Sequence, residues 1–286
     1  MAGVTASGPD AARRPIAVFD SGVGGLTVLH ELLVSLAHED FVYLGDTARF
    51  PYGDRSPDEL RRFAVEVADV LLAQEAKLLV IACNAATSAA FDAVADHVAH
   101  TGRDIGVIGV VTPESQQAVE ATHNGRIGLL ATPVTVASGA YARAVAAADP
   151  NVQLVSVPCP DLAPIIQNGF PFDEHVVDTV RAYVAPLREA QVDTVILGCT
   201  HYPLVRPMLQ RMLGRDVTLV SSGAAIARRV EHALAVAGLE SPKRGEGDYR
   251  FMCTADVESF RTLGTRFLQM PLGQVAHVEL RAQVTG

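Results

Sequence analysis

Two short apolar runs in the chain end in the same way, and this repeated pattern limits the possible folds more than any other feature. Residues 78–82 lead into Cys83 and a polar turn, and residues 194–198 lead into Cys199 and a second polar turn. Apolar runs of this length are typical of strands buried in a parallel sheet. The turns would then lie at the carboxyl ends of the strands, where open α/β sheets bind their ligands.

The similarity extends to the strand that precedes each cysteine. A shift of 116 residues aligns Cys83 with Cys199, and a shift of 111 residues aligns residues 16–21 with residues 127–132. Both of these segments are apolar and end in a hydroxyl residue, and loops absorb the difference between the two shifts. We interpret the pattern as an internal repeat of two α/β units that each supply one thiol. The alternative is a chance similarity between short apolar strands.

Strand and helix patterns alternate along the whole chain, which predicts an α/β fold with mainly parallel sheets. Strands are predicted at residues 16–19, 41–44, 78–82, 105–111, 127–130, 152–157, 194–198, 217–220 and 249–253. Helices are predicted at residues 26–37, 57–74, 87–99, 134–148, 174–190 and 224–237. The strand at 249–253 is the last predicted element.

Composition excludes several classes of function. The chain has 286 residues, 49% of them apolar, and a net charge of −9. Its basic residues form no dense run, which argues against a nucleic-acid partner. No apolar stretch approaches the roughly 18 residues of a membrane helix, so no membrane partner is expected. Residues 1–14 lack the apolar core of a signal peptide and are expected to form a mobile tail.

The spacing of the four cysteines argues against disulfides and zinc. No CxxC pair is present, so a reducing cytoplasm fits best. Cys159 and Cys253 lack polar neighbours of the kind that follow the other two, and we interpret them as structural. The pair His97 and His100 is interpreted as part of a solvated helix face, so no metal site is predicted.

Two thiols in matching turns favour acid/base chemistry. A thiol at a helix N-terminus has a lowered pKa, and Asn84 and Thr200 are suitable caps for helices that follow the cysteines. Free amides at such helix ends also bind anions. Two acid/base groups on opposite faces of a carbon suit a 1,1-proton transfer without a cofactor. Buried structural thiols, a nucleophilic Cys199 paired with His201 and a redox pair are the alternatives.

Five sequence blocks, in order, resemble the motifs of bacterial glutamate racemases. They are residues 20–26 (DSGVGGL), 45–46 (GD), 51–53 (PYG), 82–84 (ACN) and 197–203 (LGCTHYP). The resemblance implies cofactor-independent conversion of L-glutamate to D-glutamate for peptidoglycan synthesis, by a homodimer. It also implies two pseudo-symmetric three-layer α/β domains with the active site in the cleft between them. The first would comprise residues 15–106 and 221–286, and the second residues 107–220.

The same resemblance implies roles for individual residues. Cys83 and Cys199 would be the two catalytic bases, with Asp20 assisting the first and His201 the second. The implied substrate-binding residues are Asp20, Ser21, Tyr52, Gly53, Asn84, Ala85, Thr132, Thr135, Thr200 and His201. A capping or packing role is the alternative for Asp20, Tyr52 and His201.

Two positions depart from the pattern of this family. Ala85 replaces a hydroxyl residue, and loss of one hydrogen bond there would cost about 0.5–1.5 kcal/mol. Gln167 replaces a glutamate, which removes an auxiliary carboxylate. Three other functions remain as alternatives: racemisation of aspartate or a related acid, anion binding without catalysis, and thiol redox activity.

Overall fold

Two parallel β-sheets organise the computed structural model, which describes residues 9–170 and 173–280. The larger sheet contains β1 (Ile16–Asp20), β2 (Phe41–Gly45), β3 (Leu78–Ile81), β4 (Gly106–Gly109), β9 (Tyr249–Cys253) and β10 (Val275–His277). The smaller sheet contains β5 (Arg126–Ala131), β6 (Gln153–Pro158), β7 (Thr194–Gly198) and β8 (Thr218–Val220). The strand orders are β10-β9-β2-β1-β3-β4 and β6-β5-β7-β8.

The two sheets share one arrangement of four strands. The order β2-β1-β3-β4 in the larger sheet corresponds to β6-β5-β7-β8 in the smaller one. The register corresponds as well, because Phe19 pairs with Ile81 and Leu130 pairs with Leu197. The shifts of 111 and 116 residues found in the sequence carry the first of these pairs onto the second. The fold therefore agrees with an internal repeat of two α/β units, and the predicted parallel α/β class is confirmed.

Helices cover both faces of each sheet, which gives each unit three layers. They are α1 (Pro9–Ala12), α2 (Leu26–Ser35), α3 (Pro57–Leu72), α4 (Asn84–His100), α5 (Val111–Ala121), α6 (Pro133–Ser138), α7 (Ala140–Ala148), α8 (Leu162–Gln167), α9 (Glu174–Glu189), α10 (Arg206–Leu213), α11 (Ser222–Ala237) and α12 (Val257–Leu268). On the larger sheet, α3 and α4 pack on one face and α2, α11 and α12 on the other. On the smaller sheet, α5 and α7 pack on one face and α8, α9 and α10 on the other.

Several helices differ from the predicted ones for local reasons. The predicted helix 134–148 is two helices, α6 and α7, because Gly139 between them adopts a left-handed conformation with φ of +67°. The predicted strand 105–111 is only Gly106–Gly109, and α5 begins at Val111. Elements α5, α8, α10, α12 and β10 were not predicted, so the strand at 249–253 is not the last element.

The predicted mobile tail is wrong for its second part. Residues 1–8 lie outside the described residues, but Pro9–Ala12 forms a short helix and Ala11 is buried. The carbonyl of Ala12 accepts a hydrogen bond of 2.7 Å from the ammonium of Lys77, which fixes this segment to the start of β3.

The chain passes between the two units twice. It leaves the larger sheet after β4 through α5, and it returns after β8 through α11. Because β4 pairs with β3 in the larger sheet, the predicted boundary between residues 106 and 107 falls within a strand of the first unit. Within the residues described, no helix has the length and apolar character needed to cross a membrane.

Candidate active site

The first thiol lies where β3 ends and α4 begins. Cys83 caps this helix, because its sulfur accepts a hydrogen bond of 3.4 Å from the backbone N–H of Ala86. This cap starts α4 at Asn84, earlier than the predicted start at Thr87. The thiol also donates to the hydroxyl of Ser21 at 3.6 Å. Cys83 is therefore held at a helix N-terminus and is almost fully buried there.

A buried carboxyl group at the end of β1 lies beside this thiol. Asp20 accepts hydrogen bonds from the backbone N–H of Gly22 at 3.0 Å and from the hydroxyl of Thr200 at 3.3 Å. Burial raises the pKa of Asp20, while hydrogen bonds, including one with Cys83, oppose the rise. Asp20 thus contacts residues that follow the thiol strands of both units.

The second thiol follows β7, but its surroundings differ from those of the first. A 3-10 turn, Tyr202–Val205, comes next, and α10 begins only at Arg206. The predicted α-helix start at Thr200 is therefore wrong. The sulfur of Cys199 lies instead 3.9 Å from Nδ1 of His201.

The imidazole of His201 is enclosed on several sides. It stacks on Phe50 with ring centroids 5.4 Å apart and makes a T-shaped contact with Phe267 with ring centroids 5.0 Å apart. Its Nε2 lies 2.9 Å from the side-chain carbonyl oxygen of Gln167. Because this oxygen can only accept, Nε2 carries the hydrogen and Nδ1 presents a lone pair towards Cys199. Burial lowers the pKa of His201 to about 3, so the ring is neutral at physiological pH.

The glycine-rich turn after β1 packs directly against Thr200 and His201, the two residues that follow Cys199. A Cβ atom on Gly24 would lie 2.3 Å from the hydroxyl of Thr200 and 2.5 Å from Nδ1 of His201. Real Cβ atoms do not approach so closely, so only glycine allows this contact. The residue therefore lets the turn of the first unit touch the turn of the second.

Burial dominates the acidity of both thiols. It raises the pKa of Cys83 to about 12, although the N–H of Ala86 acts in the opposite direction. It also raises the pKa of Cys199 well above its usual value, and negative charge on Cys83 and Asp20 adds to this effect. The pKa of Cys199 therefore depends in part on the charge of Cys83. The expected lowering of the thiol pKa by a helix end is present at Cys83, but burial outweighs it, and no α-helix begins directly after Cys199.

Four of the predicted substrate-binding residues lie close together where the first unit meets α6. A Cβ atom on Gly53 would lie 2.9 Å from the Cβ of Thr132, whose hydroxyl is 2.9 Å from that of Thr135. The hydroxyl of Tyr52 donates to Asp46 at 2.5 Å, so it already has a partner. Tyr52 packs in the same apolar cluster as Cys83 and Ala85. The methyl group of Ala85 supplies no hydrogen bond, which leaves only its backbone amide for a ligand.

No metal site is formed by residues 9–170 and 173–280. These residues contain no group of three or more histidine, cysteine, aspartate and glutamate side chains arranged to hold an ion.

The sequence profile of the Asp/Glu/Hydantoin racemase family matches residues 26–230. The chain belongs to this family. A curated member, the glutamate racemase of Geobacter metallireducens, is 40% identical over 270 residues, which are 94% of this chain and 98% of the relative.

Solved structures of other family members have the same fold. Glutamate racemase isoform RacE1 from Bacillus anthracis is 35% identical, with a TM-score of 0.88 over 94% of this chain and 98% of that one. Glutamate racemase from Francisella tularensis, solved in complex with D-glutamate, is 33% identical, with a TM-score of 0.87 and the same coverage. The two-unit racemase fold implied by the sequence resemblance is thereby confirmed.

Two features of this family member were not found from its sequence. Gln167 was noted only as a departure, and its contact with His201 depends on α8, which was not predicted. The amide of Asn84 contacts a buried group formed by Glu114, Tyr141 and Ser222. These three residues come from α5, α7 and α11, and no local motif signals their convergence.

Proposed function

We propose that the chain interconverts L-glutamate and D-glutamate, with Cys83 and Cys199 as the two acid/base groups. The observation that carries this proposal is the contact between Thr200 and Asp20, because it brings the turns beside both thiols into one buried site. The substrate assignment is supported by relatives named glutamate racemases that align over more than nine-tenths of this chain.

The reaction moves one proton at a time between sulfur and carbon. One cysteine, as thiolate, takes the α-hydrogen of glutamate, so that a C–H bond breaks and an S–H bond forms. The other cysteine then delivers its thiol proton to the opposite face of the same carbon, where a new C–H bond forms. At the end of one turnover the two sulfurs have exchanged protonation states. Before a second turnover in the same direction, the first sulfur loses its proton to solvent and the second gains one from solvent, which also brings deuterium to the α-carbon in D₂O.

Each thiol has its own partner for reaching the thiolate form. Asp20 accepts a proton from Cys83, and the free lone pair on Nδ1 of His201 accepts one from Cys199. Both thiols are neutral in the structure because burial disfavours their charged forms. The α-ammonium of a bound glutamate adds a positive charge beside them, and nearby positive charge lowers the pKa of a thiol.

The substrate contacts the turns that surround the thiols. Free backbone amides at the start of α4, including that of Ala85, suit a carboxylate of glutamate. The remaining proposed substrate contacts are Asp20, Ser21, Tyr52, Gly53, Asn84, Thr132, Thr135, Thr200 and His201. For Tyr52 the contact requires its hydroxyl to be shared with Asp46, or its ring to pack against the ligand.

Substrate entry requires the two units to move apart. Cys83 and Cys199 are only 4% and 8% exposed, so neither sulfur is accessible to a molecule the size of glutamate. The domain limits that we propose are residues 15–109 with 221–280 for the first unit and 110–220 for the second. These limits keep β4 with its own sheet.

The cellular assignments follow from the proposed reaction. The product D-glutamate would supply peptidoglycan synthesis, and we infer that the protein acts in the cytoplasm as a homodimer. Light scattering of the purified chain tests the last point: a mass twice the 30.3 kDa of one chain is expected, and a single-chain mass would contradict it.

The reaction is tested with each glutamate enantiomer in D₂O, followed by chiral analysis and mass spectrometry. The opposite enantiomer should form, with deuterium at its α-carbon. Cys83→Ala and Cys199→Ala should each abolish this conversion, whereas Cys159→Ala, a buried cysteine outside the site, should retain it. Near-full activity in either of the first two variants would contradict the two-thiol assignment, and faster turnover of aspartate would contradict the substrate.

A further inference from the structure

Residues from four helices surround a buried carboxyl group beside Asn84, which directly follows Cys83. Glu114 lies in the first turn of α5 and has no exposed surface. It contacts Asn84 at the start of α4, Tyr141 of α7 and Ser222 at the start of α11. The reaction proposed above gives this carboxyl group no role.

The directions of the hydrogen bonds fix the orientation of the Asn84 amide. The hydroxyl of Tyr141 donates to Oε2 of Glu114. The side-chain nitrogen of Asn84 donates to the hydroxyl oxygen of Tyr141 at 2.7 Å and to Oε2 of Glu114 at 3.1 Å. The amide nitrogen of Asn84 therefore faces this buried group, in which Oγ of Ser222, 3.5 Å away, is a third acceptor.

This orientation leaves one buried acceptor without a partner. The carbonyl oxygen of Asn84 accepts no hydrogen bond within the described part of the chain, and the residue is 2% exposed. A buried acceptor without a partner costs free energy, so a ligand that donates to it gains affinity. At neutral pH the α-ammonium group is the only hydrogen-bond donor of glutamate, because both of its carboxylates can only accept.

We propose that Glu114 is a positioning residue that acts with Tyr141 to hold the Asn84 amide with its oxygen towards the substrate ammonium. This inference rests on the proposed function, because it takes Asn84 as a substrate contact. Glu114 and Tyr141 do not touch glutamate themselves. They act by preventing rotation of the amide, which would present nitrogen to the ammonium and repel it.

The carboxyl group performs this task in both of its protonation states. Burial raises the pKa of Glu114 to about 8, so the group is largely neutral at pH 7. Its other oxygen, Oε1, has no partner among the described residues and can carry the proton. Oε2 then accepts from Tyr141 and Asn84 in either state, so the arrangement does not depend on titration.

Four variants separate positioning from simple packing. Glu114→Leu removes the acceptor but keeps an apolar side chain of similar size, and Tyr141→Phe removes the hydroxyl that links the two residues. Glu114→Gln keeps a carbonyl oxygen that accepts from both partners, so it should restore function. Glu39→Gln is the control, because Glu39 is a buried carboxylate paired with Lys77.

The decisive measurement compares two ligands by calorimetry. D-glutamate carries the ammonium group, and glutarate is the same diacid without it. Glu114→Leu and Tyr141→Phe should weaken D-glutamate binding by a factor of about ten, the scale of one buried hydrogen bond. Glutarate binding should change less than twofold. Glu114→Gln and Glu39→Gln should leave both ligands within about twofold of the unmodified chain.

Kinetics give a second readout. The first two variants should raise KM for both enantiomers with little change in kcat, and Asn84→Ala should add nothing further in their background. Equal weakening of D-glutamate and glutarate, or effects that multiply with that of Asn84→Ala, would overturn the proposal. If the unmodified chain binds D-glutamate without racemising it, the proposed reaction fails and the binding ratios still decide the role of Glu114. Absence of binding would overturn both.

Discussion

The hydroxyl of Thr200 donates a hydrogen bond of 3.3 Å to the carboxylate of Asp20. Thr200 directly follows Cys199, and Asp20 interacts with Cys83, so this bond joins the surroundings of the two thiols. The backbone carbonyl of Thr200 accepts a second bond, of 3.0 Å, from the hydroxyl of Thr27 in α2. The turn of the second unit is therefore fixed to the first by both its side chain and its backbone.

Thr200→Val should reduce kcat/KM for both enantiomers by about tenfold to a hundredfold. The change keeps the size of the side chain but leaves a buried carboxylate oxygen short of one donor, a loss of about 1–3 kcal/mol. Thr200→Ser keeps the hydroxyl and should retain most of the activity. Steady-state kinetics of the two variants check this, and equal activities would show that the bond to Asp20 has no role.

Gly24→Ala should remove most of the activity. The added methyl group would lie 2.3 Å from Thr200 and 2.5 Å from His201, so both residues must shift. A shift of about 1 Å in a catalytic group can cost a hundredfold in rate. Gly273→Ala is the control, because a Cβ at that position meets nothing within 4 Å. A fully active Gly24→Ala enzyme would mean that this close contact does not position the second thiol.

Gln167→Glu should change the pH dependence of the reaction. A carboxylate 2.9 Å from Nε2 would favour the charged imidazolium and raise the pKa of His201 from about 3. The acid limb of the pH–rate profile should then move to higher pH. Asn168→Asp places the same charge on an exposed neighbour and should leave the profile unchanged. Identical profiles for all three proteins would show that His201 does not take part in proton transfer.

His201 should also make the fold less stable in acid. Burial lowers the pKa of His201 to about 3, whereas an unfolded histidine titrates near 6.5. Between these values the unfolded state binds more protons, so stability falls as the pH falls, by at most about 1.4 kcal/mol per pH unit. Above pH 6.5 the contribution is constant.

Urea unfolding between pH 7 and pH 5 tests this effect. His201→Gln should show a weaker dependence of stability on pH than the unmodified chain does. His232→Gln, which changes an exposed histidine, should show the same dependence as the unmodified chain. A pH dependence that survives unchanged in His201→Gln would contradict a buried, neutral imidazole.

The strands and the repeat could be predicted from the sequence because they depend on local patterns. Buried parallel strands are continuous apolar runs, and the predicted strand 249–253 matches β9. The start of α5 was missed because the predicted strand 105–111 extends into it, and Pro113 lies in the first turn of the helix, where proline is tolerated. The break at Gly139 was missed because the apolar pattern continues through it.

The chemistry of the site was less predictable because it depends on burial and on distant contacts. A helix N-terminus after Cys83 is visible in the sequence, but the depth of burial that raises its pKa to about 12 is not. The sequence around Cys199 resembles that around Cys83, yet a 3-10 turn replaces the expected helix after Thr200. In the sequence Glu114 lies 30 positions after Asn84 and 27 positions before Tyr141, and no short motif spans such separations.

The two passages of the chain between its units have a mechanical consequence. Two units joined by one chain connection can rotate in any direction. Two units joined by two connections can rotate mainly about the line through both connections. Glu114 at the start of α5 and Ser222 at the start of α11 lie on these two passages, and both contact Asn84. The group they form therefore lies beside both passages, and we expect the contacts around Asn84 to be kept when the two units move apart.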